Sequence, residues 1–212
     1  MNDKEKAATA VAVRQVEFCS LDPDGDLILR IGSGDDGRVV DFKVCSAALR
    51  RASPVFKAML FGQWAEAKPT SGQWIVALPD DDPFAFRPIL AMVHGKFDII
   101  PASMTLEQIS DIVVITDKYG LTALLRPWAA DWKSRILEPQ TADGAVHNIS
   151  IYDKILLARV AWELGCESQL KSLLKALIFV MSESDIEDFK ARSDIVYGPP
   201  GLIGKPGSSS AA

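Results

Sequence analysis

Apolar residues recur at every second position in two neighbouring stretches near the start of the chain, residues 27–31 and 40–44. A period of two places the apolar side chains on one face of a β-strand. The residues between the two stretches are mainly Gly, Asp and Ser, which favour a tight turn. The pattern therefore predicts a β-hairpin over residues 26–44. A third strand is predicted at Gln73–Leu78, where one face carries Trp74, Val76 and Leu78.

Helical periodicity dominates the chain after the hairpin. Residues 45–61 predict two short helices with a break at Ser53-Pro54, because proline suits the first position of a helix and disfavours helix at the residue before it. Pro88 lies inside a later helical stripe and is expected to kink that helix or to delay its start. Apolar stripes spaced by three and four residues predict three helices in this region, which begin after Asp82, after Thr105 and near residue 122.

The C-terminal part repeats the helical pattern after a polar stretch near residues 139–144, which is expected to be a linker. Two helices are predicted beyond it, with Trp162 on the inward face of the first. We expect residues 146–190 to form a helical extension. Residues 1–12 are charged and Ala-rich, and residues 193–212 are rich in Gly, Pro and Ser, so both tails are expected to be disordered.

These elements predict an α+β fold, in which a small β-sheet is flanked by a cluster of α-helices and followed by a C-terminal helical extension. The core should form where the apolar faces of successive elements meet around the hairpin. The residues predicted to be buried there are Phe42, Leu49, Phe56, Leu90 and Val113.

The composition narrows the class of protein. Of the 212 residues 48% are hydrophobic, which is enough for a packed core and excludes general disorder. The formal net charge of −5 and the lack of a Lys/Arg cluster argue against nucleic-acid binding. No apolar run is long enough to cross a bilayer, so no membrane contact is expected. Three widely spaced cysteines and no secretory signal favour a cytoplasmic or nuclear protein.

One motif imitates a dinucleotide-binding loop. Gly32, Gly34 and Gly37 form a G-x-G-x-x-G directly after the first predicted strand. A pyrophosphate site needs a helix that begins at the third glycine, because the free N–H groups of that helix bind the phosphates. Residues 40–44 have the period of a strand instead, and two aspartates in the loop would repel a phosphate. The motif therefore predicts a hairpin turn, and no cofactor is expected.

Two other patterns have the residue types of a calcium loop and of a catalytic thiol. Asp22, Asp24 and Asp26 resemble the start of a calcium loop, but the glycine and glutamate that such a loop requires at its sixth and twelfth positions are missing. Cys45 opens a predicted helix, where a thiolate would be favoured. A catalytic thiol also needs an imidazole base and an oxyanion hole, and the sequence offers only His94 and His147. No metal-ligand spacing is present.

A series of short motifs resembles the BTB/POZ domain family. Residues 26–31 are similar to the opening strand D-φ-x-φ-x-φ of that family. Cys45 stands where most members carry His. The family pattern F-x-V-H-x-x-x-L-x-x-x-S-x-x-F is otherwise matched by Phe42, Val44, Leu49, Ser53 and Phe56.

Further along the chain, residues 78–86, 93–95 and 117–121 are similar to the fungal branch of the family. The resemblance covers residues 18–137 as a BTB/POZ domain. Residues 146–190 resemble the short helical extension of the fungal proteins. The resemblance to the family also implies that Cys45 has a structural role, packed at the buried start of a helix.

The resemblance implies a non-enzymatic module that binds other proteins, as a homodimer, as an adaptor that recruits cullin-3 ubiquitin ligase, or as both. Family dimers use a long amphipathic helix before the first strand, and residues 4–13 lack such a stripe. A smaller contact is expected on the face of Ala47, Ala48, Met59, Leu60 and Phe61. Two alternatives remain: a thiol-dependent enzyme that uses Cys45, and a docking module that acts as a single copy without cullin.

Overall fold

A computed structural model of the chain describes residues 16–33, 38–142 and 145–180. The fold is mixed α+β, as expected. Its sheet has four strands in the order β1-β3-β2-β4. The strands are β1 Glu17–Ser20, β2 Leu27–Ile31, β3 Val40–Val44 and β4 Ile75–Leu78. The two predicted tails and the predicted helical residues 181–190 lie outside the described residues.

The predicted hairpin is confirmed. Strands β2 and β3 are antiparallel, with Leu27 opposite Val44 and Ile31 opposite Val40. Gly32 starts the turn with a φ of 97°, and a Cβ there would lie 2.0 Å from the carbonyl oxygen of Arg38. Only glycine fits such a position. Gly34 and Gly37 lie outside the described residues, but a strand and not a helix follows the loop.

The remaining strands extend this hairpin on both sides. Strand β4 pairs in parallel with β2. Its residues Val76 and Leu78 are buried, and so is Trp74 directly before it, as predicted. Strand β1 pairs in parallel with β3. It was not predicted, because Phe18 is exposed and four residues are too few to show a clear period.

Four helices follow in the predicted order: α1 Ser46–Ala52, α2 Pro54–Phe61, α3 Pro83–Val93 and α4 Leu106–Lys118. The hydroxyl of Ser53 accepts the N–H of Phe56 and caps α2. The carboxylate of Asp82 accepts the N–H groups of Phe84 and Ala85. This cap fixes the start of α3 at Pro83, so of the two effects expected of Pro88 the delayed start does not occur.

The prediction of a linker near residues 139–144 is wrong for residues 139–141, which are helical. A 3₁₀ turn, Thr122–Leu125, leads into α5 Arg126–Trp132, a π-helical turn Lys133–Leu137 and α6 Glu138–Thr141. Pro139 occupies the first turn of α6, where proline needs no N–H partner. Helix α7 Ile151–Glu163 and helix α8 Glu167–Val180 complete the described fold.

The core confirms the five predicted residues: Phe42, Leu49, Phe56, Leu90 and Val113 are each 0% exposed. The same cluster continues through α7 and α8. Helix α7 packs between α4 and α8 and is buried from Lys154 to Ala161. Trp162 was expected to face inward but is 49% exposed; the next residue, Glu163, has the covered side chain instead, 8% exposed and paired with Arg159.

Candidate interaction surfaces

The face predicted for self-association lies on α1 and α2, and the structure divides it. Ala47 and Phe61 are exposed, whereas Ala48 and Met59 are half-buried. Leu60 is 1% exposed and belongs to the core. Its assignment to the surface was wrong, because Leu60 follows Phe56 by one helical turn and shares its buried face.

Two aromatic side chains at the end of α2 are the main exposed feature of this face. Phe61 is 43% exposed and Trp64 is 66% exposed. The ring of Phe61 meets Trp74 edge to face, with centroids 6.2 Å apart. A Cβ on Gly62 would lie 2.3 Å from the carbonyl oxygen of Ala58 and 3.1 Å from Cδ1 of Trp64, so only glycine fits there. We call Phe61 and Trp64 the α2 aromatic face.

The two helices that lead to the α2 aromatic face are basic, although the whole chain is acidic. Residues 44–65 contain Arg50, Arg51 and Lys57 and no Asp or Glu. The guanidinium of Arg50 lies over the ring of Phe61, 5.0 Å from its centroid. Exposed aromatic and Arg side chains are the groups most enriched at the centres of protein interfaces.

Cys45 lies next to an imidazole, but through its backbone. The N–H of Cys45 donates to Nε2 of His94 at 3.0 Å, and Nδ1 of His94 lies 2.8 Å from the carbonyl oxygen of Leu90. Nε2 therefore accepts, Nδ1 carries the proton, and neither nitrogen is directed to the thiol. Cys45 was expected to be buried. It is only half-buried, at the N-cap of α1. His94 therefore acts as the hydrogen-bond acceptor for a backbone N–H group at the start of α1.

Asp26 ends the acidic turn, and its carboxylate is bound by Ser46 at the start of α1. It accepts hydrogen bonds from the backbone N–H and the hydroxyl of Ser46, both at 2.9 Å. Burial works to raise the pKa of Asp26, but the two bonds from Ser46 and the neighbouring Lys68 outweigh it and lower the pKa. The side chain thus joins the start of β2 to the start of α1. Among the described residues, no group of three or more His, Cys, Asp or Glu could hold a metal ion.

A second apolar surface lies between α3 and α4. The groove has a volume of about 230 Å³ and is lined on one side by Phe84 and on the other by Ile112, with Ile99 and Met104 from the connecting loop. Sequence reasoning missed it, because the stripes on α3 and α4 identified only the residues that face the core. An aromatic residue at the second position of α3, outside its stripe, was the available signal.

Within the part of the chain that the structure describes, no helix is long and apolar enough to cross a membrane. Comparison with known proteins adds no family: no family model matches the chain, and no curated protein matches it either.

Proposed function

We propose that this protein is a non-enzymatic protein-interaction module of the BTB/POZ type. The observation that carries the proposal is the α2 aromatic face, in which Phe61 and Trp64 remain exposed at the end of a helix whose inner side is locked into the core. Burial of such aromatic groups by a partner provides much of the free energy of association.

The residues that resemble the BTB/POZ motif support the proposal because they fill the core or cap a helix. Phe42, Leu49 and Phe56 fill the core. Ser53 caps α2 and donates its hydroxyl hydrogen to the carbonyl oxygen of Tyr119 at 2.5 Å. The position that usually carries His is Cys45, and the structure supplies an imidazole to its N–H from His94 instead.

Two partners fit this module, a second copy of the chain and cullin-3, and it would meet either in the cytoplasm or the nucleus. A dimer through the α1–α2 face would bury an area near the lower end of stable interfaces, about 1,200 Å². His94 is committed to the backbone of Cys45, which favours docking over the thiol-dependent alternative.

The test compares the intact chain with Trp64→Glu. Light scattering at micromolar concentration measures the mass, and a pull-down with purified cullin-3 measures recruitment. Phe179→Glu is the matched control, because Phe179 is 87% exposed on α8, far along the chain from α2. We expect Trp64→Glu to abolish dimer formation, cullin-3 binding or both, while Phe179→Glu behaves as the intact chain.

Three results separate the alternatives. If the intact chain is a monomer and binds no cullin-3, the alternative that remains is a docking module that acts as a single copy. A dimer or cullin complex that Trp64→Glu leaves unchanged removes the α2 aromatic face from the proposal. A thiol probe that reacts with Cys45 far faster than with Cys19 would support the enzyme alternative, since a catalytic thiol is unusually nucleophilic.

A further inference from the structure

The groove between α3 and α4 has the size of a side-chain pocket. Its volume of about 230 Å³ is below the range of roughly 300–1,000 Å³ typical of small-molecule sites. Phe84 on α3 is 54% exposed and Ile99 in the loop is 43% exposed, so a large apolar surface stands open at its mouth. One anchoring side chain from another protein would fill such a groove and cover these residues.

Acidic residues stand beside this apolar groove. Asp82 and Asp111 are among the lining residues, and Glu107 precedes Asp111 by one turn of α4. The cation in the lining, Arg87, pairs with Glu17 of β1. In the described ranges no ion pair reaches Glu107 or Asp111. The groove therefore presents unneutralised negative charge next to apolar surface.

The crowding of these acids has an energetic consequence. Burial raises the pKa of Asp111 to about 6, and the charges of Asp82 and Glu107 raise it further in the same direction. Ionised Asp111 is thus disfavoured in the folded state at neutral pH, but only by a modest amount, because its residue surface is exposed and solvent screens the charge. A cation brought to the groove by a partner would relieve that cost, and groups kept at a cost to stability are concentrated at functional sites.

We propose that the α3–α4 groove binds a segment of a partner protein that inserts one large apolar side chain beside Phe84 and places a Lys or Arg against Asp111 and Glu107. The acidic rim selects the basic residue, and the apolar floor provides the affinity. This surface is separate from the α2 aromatic face, so the inference goes beyond the proposed function and does not depend on it.

The experiment selects binders from a random 12-residue phage-display peptide library on the intact protein. We expect the enriched peptides to share an aromatic or large aliphatic residue flanked by Lys or Arg. Fluorescence polarisation then measures the affinity of the most enriched peptide for variants. Asp111→Lys and Phe84→Ala should each weaken it about tenfold or more, as at interface hot spots. Raising the salt concentration should weaken it too.

Matched controls keep the result specific. Asp24→Lys reverses an exposed charge in the turn before β2, and Phe179→Ala removes an exposed ring on α8. Both should change the affinity less than twofold, as should Trp64→Glu. Asp111→Asn removes the charge with the least change of shape, so it provides a second measurement if Asp111→Lys does not fold. Circular dichroism checks folding in each case.

Several outcomes would overturn the inference. Enriched peptides without a basic residue, no enrichment at all, or affinity that survives both Phe84→Ala and Asp111→Asn would each do so. If Phe84→Glu converts a dimer into a monomer while no peptide is enriched, the groove is a contact between copies of this chain and not a partner site.

Discussion

Phe56 is the residue on which the aromatic core depends. Its ring stacks on Tyr119 with centroids 4.7 Å apart and meets Phe86 edge to face at 6.4 Å. We predict that Phe56→Ala lowers the free energy of unfolding by about 3–5 kcal/mol, because it leaves a cavity that the packed helices fill only partly. Denaturant unfolding measures the change. An unaltered midpoint, equal to that of the control Phe18→Ala on exposed β1, would contradict the core assignment.

Asp111 is predicted to make stability depend on pH in an unusual direction. Its pKa is about 6 in the fold, against 3.8 for an ordinary aspartate, so the folded state binds this proton more tightly than the unfolded chain does. Ionised Asp111 therefore disfavours folding above pH 6, and the penalty disappears as the pH falls through 6 towards 4. Asp111→Asn should raise the melting temperature at pH 7.5, and the gain should vanish near pH 4.

Thermal melting across that range, with Asp24→Asn as control, tests the sign. A loss of stability in Asp111→Asn at pH 7.5 that closes on acidification would mean that the carboxylate of Asp111 is stabilised in the fold, and the argument for crowded charge at the groove would fail.

At the scale of elements, a single carboxylate sets the position of α1 against the sheet. Asp26 precedes β2 and receives both hydrogen bonds from Ser46 at the start of α1. Its folded pKa is lowered, so its contribution to stability is present above the unfolded pKa of about 3.8 and is lost as the pH falls below it. Asp26→Asn should lower the melting temperature at pH 7, and the difference should close at pH 3.

A double-mutant cycle with Ser46→Ala measures the coupling of the two elements. The two changes should be less than additive, because either one removes the hydroxyl–carboxylate bond. Strict additivity would show that Asp26 and Ser46 act independently.

At the scale of the whole molecule, the C-terminal helices share the core of the sheet. Helix α7 is buried against α4 and α8, and Arg159 of α7 pairs with Asp117 of α4 at 2.7 Å. We predict that Leu157→Ala, at a position that is 0% exposed, costs about 2–5 kcal/mol. It should also lower hydrogen-exchange protection in β2 and β3 by the same free energy, since one cooperative unit opens as a whole.

Hydrogen exchange read by mass spectrometry follows both regions in one experiment. Trp162→Ala is the control, because that side chain is half-exposed on the same helix. If the amides of β2 and β3 keep their protection in Leu157→Ala while α7 and α8 lose theirs, the two segments 18–137 and 146–190 are separate folding units.

The sequence by itself determined the local structure of this protein. The period-two stretch at 27–31 and the glycine-rich turn produced the hairpin. Ser53 and Asp82 set helix starts, and the residues that lie on periodic faces, such as Phe42 and Val113, are core. These features depend on neighbours within one or two turns of chain, and periodicity and capping report on that distance.

Only the tertiary structure decided which distant groups meet. His94 reaches the N–H of Cys45 across 49 positions. A helix was expected to begin after Asp82, and Asp82 does cap α3. Asp81, however, is buried and receives the hydroxyl of Tyr119 at 2.6 Å, a partner 38 positions away.

The α2 aromatic face and the α3–α4 groove also depend on contacts between elements that are distant in sequence. Leu60 and Phe61 are adjacent in sequence and equally apolar, yet one is core and the other is exposed. The α3–α4 groove exists because a loop and two helices converge there. Exposure and clefts depend on how elements pack against each other, and an amphipathic stripe shows only which side of each element faces inward.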